Sequence, residues 1–472
     1  MALFGLALLG VVALLVMLTG LPVFIVLIFA SALGMVIGIL IGGVPAALFG
    51  ALPGRLMGLL ENDLLQAVPL FVLIGALLNR LPLAELLYRC GCRMVRGPGA
   101  PRVAAVALSA LLAPMNGSVG ASVAMLSRVV APRLRAHGAD AAATTALVAT
   151  ASTLGVLVPP SLVLLLLGDA LMAAHTQALT LGGHAERIVN TQDLLRGALL
   201  PAGLVLLLVA AVAAWQGRGA SPVLPAEMPL TRRQWAVAAL TLGLITALLG
   251  GVALGRFLAV EAAATGGVLL LLTSACSGHL NGERLREALG DALDITGGLF
   301  ALFVAATGFT LVLRALGSDA LVAAWFASLP GGPGVVVAAA LLAPLACALV
   351  LDAFELIFVV VPLLMPPVLA RVEDAAWMGV LTLLALQLSF ALPPLGYAVM
   401  MSGARIQPHP PLRRLLRALA PYLAALTAVL VLVLWQPRLV HAFDAVAAAH
   451  AAPLQEDEIE RLMREAPRGA PP

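Results

Sequence analysis

Val158–Pro159–Pro160–Ser161 and Leu392–Pro393–Pro394–Leu395 are the two stretches that decide how this chain folds. Each lies well inside a long apolar segment that should otherwise be helical, 140–173 in the first half and 376–402 in the second. Proline lacks a backbone N–H and clashes with the preceding helical turn, and the residue before it is pushed out of the α region. Two prolines in a row are therefore expected to break each helix and leave several carbonyl groups unpaired.

The composition is that of a membrane protein. The chain has 472 residues, of which 62% are hydrophobic and 11% charged, and its mean hydropathy is +1.06. Soluble domains carry roughly 25% charged residues, so a soluble protein of this length could not bury so much apolar surface. The formal net charge of +3 is too small to indicate nucleic-acid binding, and all 27 basic residues are arginine. We expect an all-α polytopic membrane protein.

The apolar segments divide into membrane crossings and two exceptions. About 20 apolar residues span the hydrocarbon core of a bilayer. The runs 103–127 and about 337–369 hold polar or charged residues at their centres, and each is predicted to be a re-entrant hairpin of two half-length helices. The predicted crossings lie near 3–19, 21–42, 66–79, 140–173, 195–215, 235–254, 256–276, 295–316, 376–402 and 415–436.

The placement of arginine supports this layout. Short cytoplasmic segments of membrane proteins are enriched in basic residues. With a periplasmic N-terminus and two hairpins that return to their own side, most arginines fall in cytoplasmic segments. Treating 103–127 as a full crossing would instead place two basic clusters on opposite sides. The predicted cytoplasmic arginines are Arg80, Arg89, Arg93, Arg96, Arg102, Arg128, Arg133, Arg135, Arg218, Arg232, Arg233, Arg284, Arg286, Arg405, Arg413, Arg414 and Arg417.

Each hairpin is followed by a broken helix, which makes two matching units of opposite orientation. Unpaired carbonyl groups persist at membrane depth only where they line a protein cavity. Inverted repeats with discontinuous helices are how many secondary transporters build a midplane site for substrate and coupling ion. The alternative is that the double prolines are simple kinks. Polar residues precede both breaks, and they are Thr150, Ser152, Thr153 and Gly155 in the first half and Gln387 and Ser389 in the second.

The two hairpin tips differ in chemistry. The first tip carries Asn116, Gly117, Ser118 and Ser122, whose neutral oxygens suit weakly bound Na⁺. Nothing in it resembles the dense carboxylate cage of a Ca²⁺ site. The second tip carries the acids Asp352 and Glu355, and acids at membrane depth are costly and usually functional. Either could bind Na⁺ or carry a proton, and the alternatives are that one caps a hairpin helix or contacts Arg314.

Six landmark stretches occur in order along the chain. They are Ala67–Val–Pro–Leu–Phe–Val–Leu–Ile–Gly75, Gly117–Ser–Val–Gly–Ala–Ser122, Thr153–Leu–Gly–Val–Leu–Val–Pro–Pro–Ser161, Val260–Glu–Ala–Ala–Ala264, Leu351–Asp–Ala–Phe–Glu355 and Leu386–Gln–Leu–Ser–Phe–Ala–Leu–Pro–Pro–Leu–Gly396. With them the chain resembles the large membrane subunit of the TRAP (tripartite ATP-independent periplasmic) transporters, DctM-like, from about residue 3 to 437. The stretches Val163–Leu–Leu–Leu–Leu–Gly–Asp169 and Leu386–Gln–Leu–Ser–Phe390 resemble the mannitol/chloroaromatic-type branch.

The resemblance implies a Na⁺-coupled, binding-protein-dependent importer of a small organic acid in the bacterial inner membrane, working as an elevator. It implies a four-helix small membrane subunit and a periplasmic binding protein as partners, with no cofactor beyond Na⁺ and no enzymatic activity. The implied Na⁺ ligands are Asn116, Gly117 and Ser118 with Ser152, Thr153 and Gly155, and Asp352 with Gln387 and Ser389. The implied substrate contacts are Ser118, Ser122, Pro159, Pro160, Ser161, Pro393, Pro394 and Gly396.

Two other classes of function compete with this one. One is a stand-alone ion-coupled carrier or proton antiporter of the same architecture. The other is a membrane enzyme, for which the sequence holds no nucleophile–base constellation, metal cluster or phosphate-binding loop. The expected division of the chain is 1–102 first scaffold helices, 103–173 first hairpin and broken helix, 174–336 scaffold and connecting helices, 337–402 second hairpin and broken helix, 403–436 last crossing, and 437–472 polar tail.

Overall fold

The structure is a computed structural model, and every regular element that it describes is helical. It describes residues 1–444 except 43, 46, 48, 49, 117, 181–189, 219–228, 254, 277 and 279. Gly117 of the first hairpin tip and most of the predicted tail 437–472 therefore lie outside the described residues. The helices are labelled α1 to α22 in chain order.

The helices are α1 (Ala2–Thr19), α2 (Val23–Leu40), α3 (Ala51–Leu60), α4 (Asp63–Arg80), α5 (Leu83–Met94), α6 (Ala100–Leu112), α7 (Val119–Val129), α8 (Ala131–Ala136), α9 (Ala141–Ser152), α10 (Leu154–Leu157), α11 (Leu162–Thr180), α12 (Thr191–Gln216), α13 (Arg232–Ala253), α14 (Ala259–Cys276), α15 (Gly282–Ala315), α16 (Ser318–Ser328), α17 (Pro333–Cys347), α18 (Ala353–Glu355), α19 (Val361–Leu369), α20 (Ala375–Phe390), α21 (Tyr397–Arg405) and α22 (Leu412–Trp435).

The described helices confirm the all-α polytopic class. Eight of them are long and apolar enough to cross a bilayer, namely α1, α2, α11, α12, α13, α14, α15 and α22. A ninth crossing is formed if α3 and α4, which meet at a bend of 53°, are taken together. The hairpin helices α6, α7 and α17 are shorter and apolar, as expected for segments that do not cross.

Two helices are longer than the sequence predicted. α11 continues to Thr180, beyond the expected boundary at 173, and α15 begins at Gly282 rather than near 295. The start of α15 is fixed by Asn281, whose side-chain oxygen accepts a hydrogen bond from the Arg284 backbone N–H at 2.9 Å. The first turns of α15 carry charged residues. They therefore extend the helix beyond the apolar segment that the hydropathy identifies.

The first hairpin enters and leaves at the same end of the molecule, as Tyr88 of α5 shows. The Tyr88 hydroxyl donates to the backbone oxygen of Pro101, at the start of the hairpin, over 3.1 Å. The guanidinium of Arg133, which follows the hairpin, lies over the same ring at 5.9 Å from its centre. One side chain therefore contacts both arms at the mouth of the hairpin.

The second hairpin is closed at its mouth by Arg371. Its guanidinium donates to the backbone oxygens of Phe326 at 2.5 Å and Gly331 at 3.4 Å. Phe326 and Gly331 precede the first arm, α17, whereas Arg371 follows the second arm, α19. The chain therefore returns to the end at which it entered, as the sequence predicted.

The two hairpins open toward opposite ends. α20 and α21 run from Asp374, near the mouth of the second hairpin, to Arg405. Arg405 lines the same cavity as Arg128, at the mouth of the first hairpin. The two units are therefore inverted relative to each other. We call the end that carries Arg80, Arg128 and Arg405 the basic end, and the positive-inside rule predicts that it is cytoplasmic.

The first helix break lies at its double proline. Val158 has φ −72° and ψ 116°, outside the helical region, as expected for a residue before proline. The chain becomes helical again at Leu162, because the Ser161 hydroxyl oxygen accepts the Leu164 backbone N–H at 3.0 Å. A capped helix start therefore follows directly on the break.

The second break runs from Ala391 to Gly396, between α20 and α21. The chain turns tightly here, and a Cβ on Gly396 would lie 2.6 Å from the Leu392 carbonyl oxygen. Only glycine fits such an approach. Pro394 is exposed, whereas Pro159 and Pro160 of the first break are buried. The two breaks therefore share a sequence pattern but differ in their access to solvent.

A histidine fastens the chain after α22 to the start of α20. His441 contacts the Asp374 carboxylate at 2.6 Å through Nε2 and the Asp444 carboxylate at 2.9 Å through Nδ1. The Trp377 indole N–H donates to the Val433 backbone oxygen at 2.8 Å in the same region. Burial lowers the pKa of the His441 ring, but the hydrogen bonds to the two carboxylates outweigh it and raise this pKa above its ordinary value.

We expect residues 436–444 to be held more firmly at acidic pH. The stabilisation from His441 is fully present below the ordinary histidine pKa of about 6.5 and is lost as pH rises through the raised value. Hydrogen–deuterium exchange, corrected for intrinsic rates, should show several-fold greater protection of this segment at pH 6 than at pH 9. His441→Gln should remove the difference and His409→Gln should keep it. Equal protection at both pH values in the unaltered chain would contradict the assignment.

Candidate functional site

The polar groups of the first hairpin tip hydrogen-bond to one another. Ser118 caps α7, with its hydroxyl oxygen accepting the Ala121 backbone N–H at 3.1 Å. The Ser122 hydroxyl donates to the Ser118 backbone oxygen at 3.2 Å, and the Asn116 amide donates to Ser122 Oγ at 3.2 Å. Asn116 Oδ1 is buried and has no hydrogen-bond partner among the described residues. Since buried polar atoms are nearly always bonded, this oxygen is a candidate ligand.

Two glycines allow the backbone to pack directly against this tip. A Cβ on Gly155 would lie 2.6 Å from the Ala113 backbone oxygen, and a Cβ on Gly75 would lie 2.6 Å from that of Met115. Contacts this close leave no room for a side chain. The tip is therefore held between α4 on one side and the first helix break on the other.

The hydroxyls before the first break donate to carbonyl groups of their own helix. Ser152 donates to the Ala149 oxygen and Thr153 to the Thr150 oxygen, both at 2.8 Å. Because these hydrogens are used, the oxygen lone pairs remain free to accept. Thr150 Oγ1 is buried without a partner among the described residues. The end of α9 therefore presents acceptors rather than donors.

A small cavity lies between the tip and the break. It has room for about one water-sized sphere. The structure brings Ser118, Ser122, Ser152 and Gly155 together around it, as predicted. Five other residues predicted for this site do not line it, and they are Asn116, Thr153, Pro159, Pro160 and Ser161. The lining is Ala113, Pro114, Ser118, Val119, Ser122, Ser152, Gly155, Val156, Leu162 and Val163.

Ser161 has a local structural role. Its hydroxyl donates to the Val156 backbone oxygen at 3.1 Å while its oxygen caps α11. It therefore joins the two halves of the first broken helix across the prolines. Its predicted contact with substrate stays a prediction.

The acids of the second tip cap their own helix. The Asp352 carboxylate accepts the Ala353 backbone N–H at 2.7 Å, and Glu355 accepts the Asp352 backbone N–H at 2.9 Å. Capping is one of the alternatives for these acids. The other is a contact with Arg314, whose guanidinium donates a hydrogen bond to the Gln177 side-chain oxygen at 2.8 Å. A capping carboxylate keeps further lone pairs, so ion binding by Asp352 stays a prediction.

Gln387 is the clearest candidate ligand near the second break. Its side chain is completely buried, and neither amide atom has a partner among the described residues. A buried polar group left unsatisfied costs about 1–3 kcal/mol. Within the described residues no hydrogen bond joins the Asp352 side chain to Gln387 or Ser389, and the second ion site stays a prediction.

The two repeats are each fastened by one serine. Ser389, at the end of α20, donates to the Leu345 backbone oxygen in the hairpin arm α17 at 2.7 Å. Ser109, in the hairpin arm α6, donates to the Ala151 backbone oxygen at the end of α9 at 2.6 Å. Each bond joins a hairpin to its own broken helix, with donor and acceptor exchanged between the repeats.

Tyr397 is a residue that the sequence analysis missed. It opens α21 after the second break, and its hydroxyl lies 2.9 Å from where a Cβ on Gly120 of α7 would stand. Tyr397 therefore packs the start of α21 against the first hairpin. Its position directly after the Pro–Pro–Leu–Gly turn, in a chain with only 3 tyrosines, was the available signal.

Comparison with known families agrees with this architecture. The family described as "Tripartite ATP-independent periplasmic transporter, DctM component" matches residues 10–439. The chain belongs to this family. It is therefore a multi-pass permease of the bacterial inner membrane and not an enzyme. As one component of a tripartite system, it implies a small membrane subunit and a periplasmic binding protein.

Several curated relatives share a quarter of their residues with this chain. The uncharacterized protein YgiK of Salmonella typhimurium is 25% identical over 416 residues, covering 87% of this chain and 91% of the relative. The C4-dicarboxylate TRAP transporter large permease protein DctM of Pseudomonas aeruginosa is 25% identical, with 80% and 85% covered. The sialic acid TRAP transporter large permease protein SiaM of Vibrio cholerae is 25% identical, with 79% and 84% covered.

A solved structure shares the fold. The YdaH transporter of Alcanivorax borkumensis superposes with a TM-score of 0.59 at 18% identity, covering 82% of this chain and 87% of the other. This likeness supports the all-α polytopic transporter fold. Assignment to the mannitol/chloroaromatic-type branch stays a prediction.

Replacing Gly75 with alanine should displace the first hairpin tip. The new methyl group would overlap the Met115 backbone, and overpacking of this kind typically costs about 1–3 kcal/mol. We expect a lower Tm of the purified protein in detergent. Gly243→Ala in α13 is the matched control, because no atom lies within 4 Å of its Cβ position. That change should keep or raise the Tm, since alanine favours helix. A Gly75→Ala protein as stable as the control would disprove the close contact.

Proposed function

We propose that this chain is the large permease subunit of a Na⁺-coupled, binding-protein-dependent importer of a small organic acid. The observation that carries the proposal is a set of buried side-chain oxygens that have no hydrogen-bond partner among the described residues. They lie at the first hairpin tip and before the two helix breaks, and they are Asn116 Oδ1, Thr150 Oγ1 and Gln387 Oε1. Buried oxygens of this kind suit a small cation.

Na⁺ fits the first site by its ligand chemistry. The hydroxyls of Ser118, Ser122 and Ser152 are neutral oxygens around a space of about one water molecule. Helices α6 and α9 end beside Ala113 and Ser152, which line the same cavity, and a helix C-terminus carries partial negative charge. Oxygen ligands favour hard cations, and a site without carboxylates favours a monovalent ion over Ca²⁺.

A second Na⁺ site is proposed near Gln387. Its buried amide oxygen is free to accept, and Asp352 would supply negative charge from the neighbouring hairpin tip. The Ser389 hydroxyl hydrogen is bonded to the Leu345 backbone oxygen, so Ser389 would contribute an oxygen lone pair to the Na⁺. One site for each hairpin and its broken helix accounts for the paired architecture.

The substrate is proposed to be a small carboxylate that binds where two helices begin. α7 starts after Ser118 and α21 starts after Gly396, and Tyr397 contacts Gly120 between them. Helix N-termini carry partial positive charge and bare N–H groups, so they attract carboxylates. The exposed Pro394 leaves this region open on the side of the second break. Relatives named for C4-dicarboxylates and sialic acid, both organic acids, support this class of substrate.

The proposed cycle is an elevator motion driven by the Na⁺ gradient. Both hairpins and both broken helices would move together against the remaining helices, and the Ser109 and Ser389 bonds would keep each pair joined. A four-helix small subunit and a periplasmic binding protein would complete the system. The second candidate is a stand-alone ion-coupled carrier or proton antiporter, which the paired carboxylates of Asp352 and Glu355 favour.

Reconstitution tests the coupling. Proteoliposomes with all three components should take up a labelled C4-dicarboxylate only when a Na⁺ gradient points inward. An uptake rate that is the same with and without the Na⁺ gradient would refute the proposal. Uptake without the binding protein, driven by a proton gradient, would favour the stand-alone carrier.

Gln387→Leu should raise the Na⁺ concentration for half-maximal uptake roughly tenfold, the effect of losing one ligand of about 1.4 kcal/mol. Thr382→Val is the matched control on the same helix. Thr382 is also buried, but its hydroxyl donates to the Met378 backbone oxygen at 2.8 Å and is not free. The control should keep the Na⁺ dependence of the unaltered protein. If both variants respond to Na⁺ alike, Gln387 is not a ligand.

A further inference from the structure

A large cavity opens at the basic end, separate from the small cavity at the hairpin tip. Its volume is about 700 Å³, within the range of small-molecule sites. Helices α7 and α21, which pack on each other, supply one wall. Helices α4 and α15, which also pack together, supply the other. The lining is Ala76, Asn79, Arg80, Ala121, Ala124, Met125, Ser127, Arg128, Asp291, Asp294, Ile295 and Arg405.

The cavity extends from the hairpin tip to the basic end along α7. Ala121 lines it, and its backbone N–H donates to Ser118 Oγ at 3.1 Å, so the inner part lies one turn from the candidate site. Arg128 lines it further along the same helix. With a rise of about 1.5 Å per residue, Arg128 lies roughly 10 Å beyond Ala121. A molecule that leaves the tip region through this cavity must pass Arg128.

The charges on the two walls are unequal. Arg80 is neutralised by Asp291 at 2.6 Å and Glu287 at 2.9 Å. Arg128 donates to the backbone oxygen of Asn79, a neutral acceptor, so its charge is not balanced there. Arg405 makes no hydrogen bond or ion pair within the described part of the chain.

The opposite wall offers little compensation for these charges. Asp294 is the remaining acid of the lining, since Asp291 is engaged by Arg80. The wall formed by α7 and α21 therefore presents two guanidinium groups, on Arg128 and Arg405, against one carboxylate. A guanidinium binds carboxylates through paired N–H donors and stays charged at all physiological pH values.

We propose that Arg128 and Arg405 form a second carboxylate-binding site, which receives the organic anion between the hairpin tip and the basic end. This inference rests on the proposed transport of an organic acid. The arrangement lowers the energy of an anion in the cavity and gives it a defined exit toward the predicted cytoplasmic side. A dicarboxylate matches two separated guanidinium groups better than a monocarboxylate does.

The competing explanation is structural. Arg128 and Arg405 lie in the last turns of α7 and α21, where a cation is favoured by the helix dipole and by the positive-inside rule. Such arginines would need no anion. Measured occupancy of the cavity by a carboxylate distinguishes the two explanations.

The test uses a single cysteine in the cavity of the full-length chain. Cys90, Cys92, Cys276 and Cys347 are replaced by alanine, and Ala124→Cys places a thiol on the lining. Inside-out membrane vesicles expose the predicted cytoplasmic side. Labelling by N-ethylmaleimide, a neutral reagent, is timed with and without millimolar succinate, with chloride salts matching the ionic strength.

Succinate should slow labelling at least threefold when Arg128 and Arg405 are present. Arg128→Gln with Arg405→Gln should abolish the protection, and Arg413→Gln with Arg414→Gln, at the same end but outside the cavity, should keep it. Arg405→Gln alone should weaken protection in a stably folded protein, because that side chain is exposed and has no hydrogen-bond partner among the described residues. Absent protection, or protection that survives the double replacement, overturns the proposal. The assay is run without Na⁺, so its result is independent of Na⁺ coupling.

Discussion

The structure depends on one constraint, which is that backbone groups freed by a helix break cannot be left facing hydrocarbon. Each unpaired group would cost several kcal/mol in lipid, so protein must cover the breaks. At the first break the hairpin tip supplies this cover. Gly155 meets the Ala113 backbone and Gly75 meets the Met115 backbone at distances that exclude any side chain. The first double proline therefore requires its hairpin, and that hairpin requires glycines at its contacts.

Much of this architecture could be predicted because it depends on residues that are close together in the sequence. Proline acts on its own turn, so both breaks were found at Pro159–Pro160 and Pro393–Pro394. Polar residues inside apolar runs marked both hairpins, and four predicted residues, Ser118, Ser122, Ser152 and Gly155, line one cavity. Each of these inferences needed only neighbours within a few turns, together with the cost of polar groups in lipid.

The rest could not be predicted because it depends on contacts between distant segments. Arg80 and Asp291 are 211 residues apart, and only the folded chain shows that they neutralise each other. In the sequence Tyr397 is an ordinary aromatic residue, because its contact with the first hairpin forms only when α21 packs on α7. The sequence did not predict that α15 begins at Gly282. Hydropathy identifies the part of a helix that lies in lipid, and it does not show where the helix ends in water. Capping by Asp352 and Glu355 uses only their immediate neighbours, so the sequence already offered it, whereas ion binding by Asp352 stays a prediction.

The paired serine bonds bear on how this scaffold can diverge. Ser109 and Ser389 both donate to main-chain oxygens, at Ala151 and Leu345. A backbone acceptor is present whatever residue occupies the position, so only the donor side is constrained in identity. Mutations can therefore accumulate on the accepting helices without loosening the hairpin from its break. The hydrogen bond that joins each hairpin to its broken helix therefore tolerates substitutions on the accepting side. The residues that line the cavities can then change to suit a different substrate.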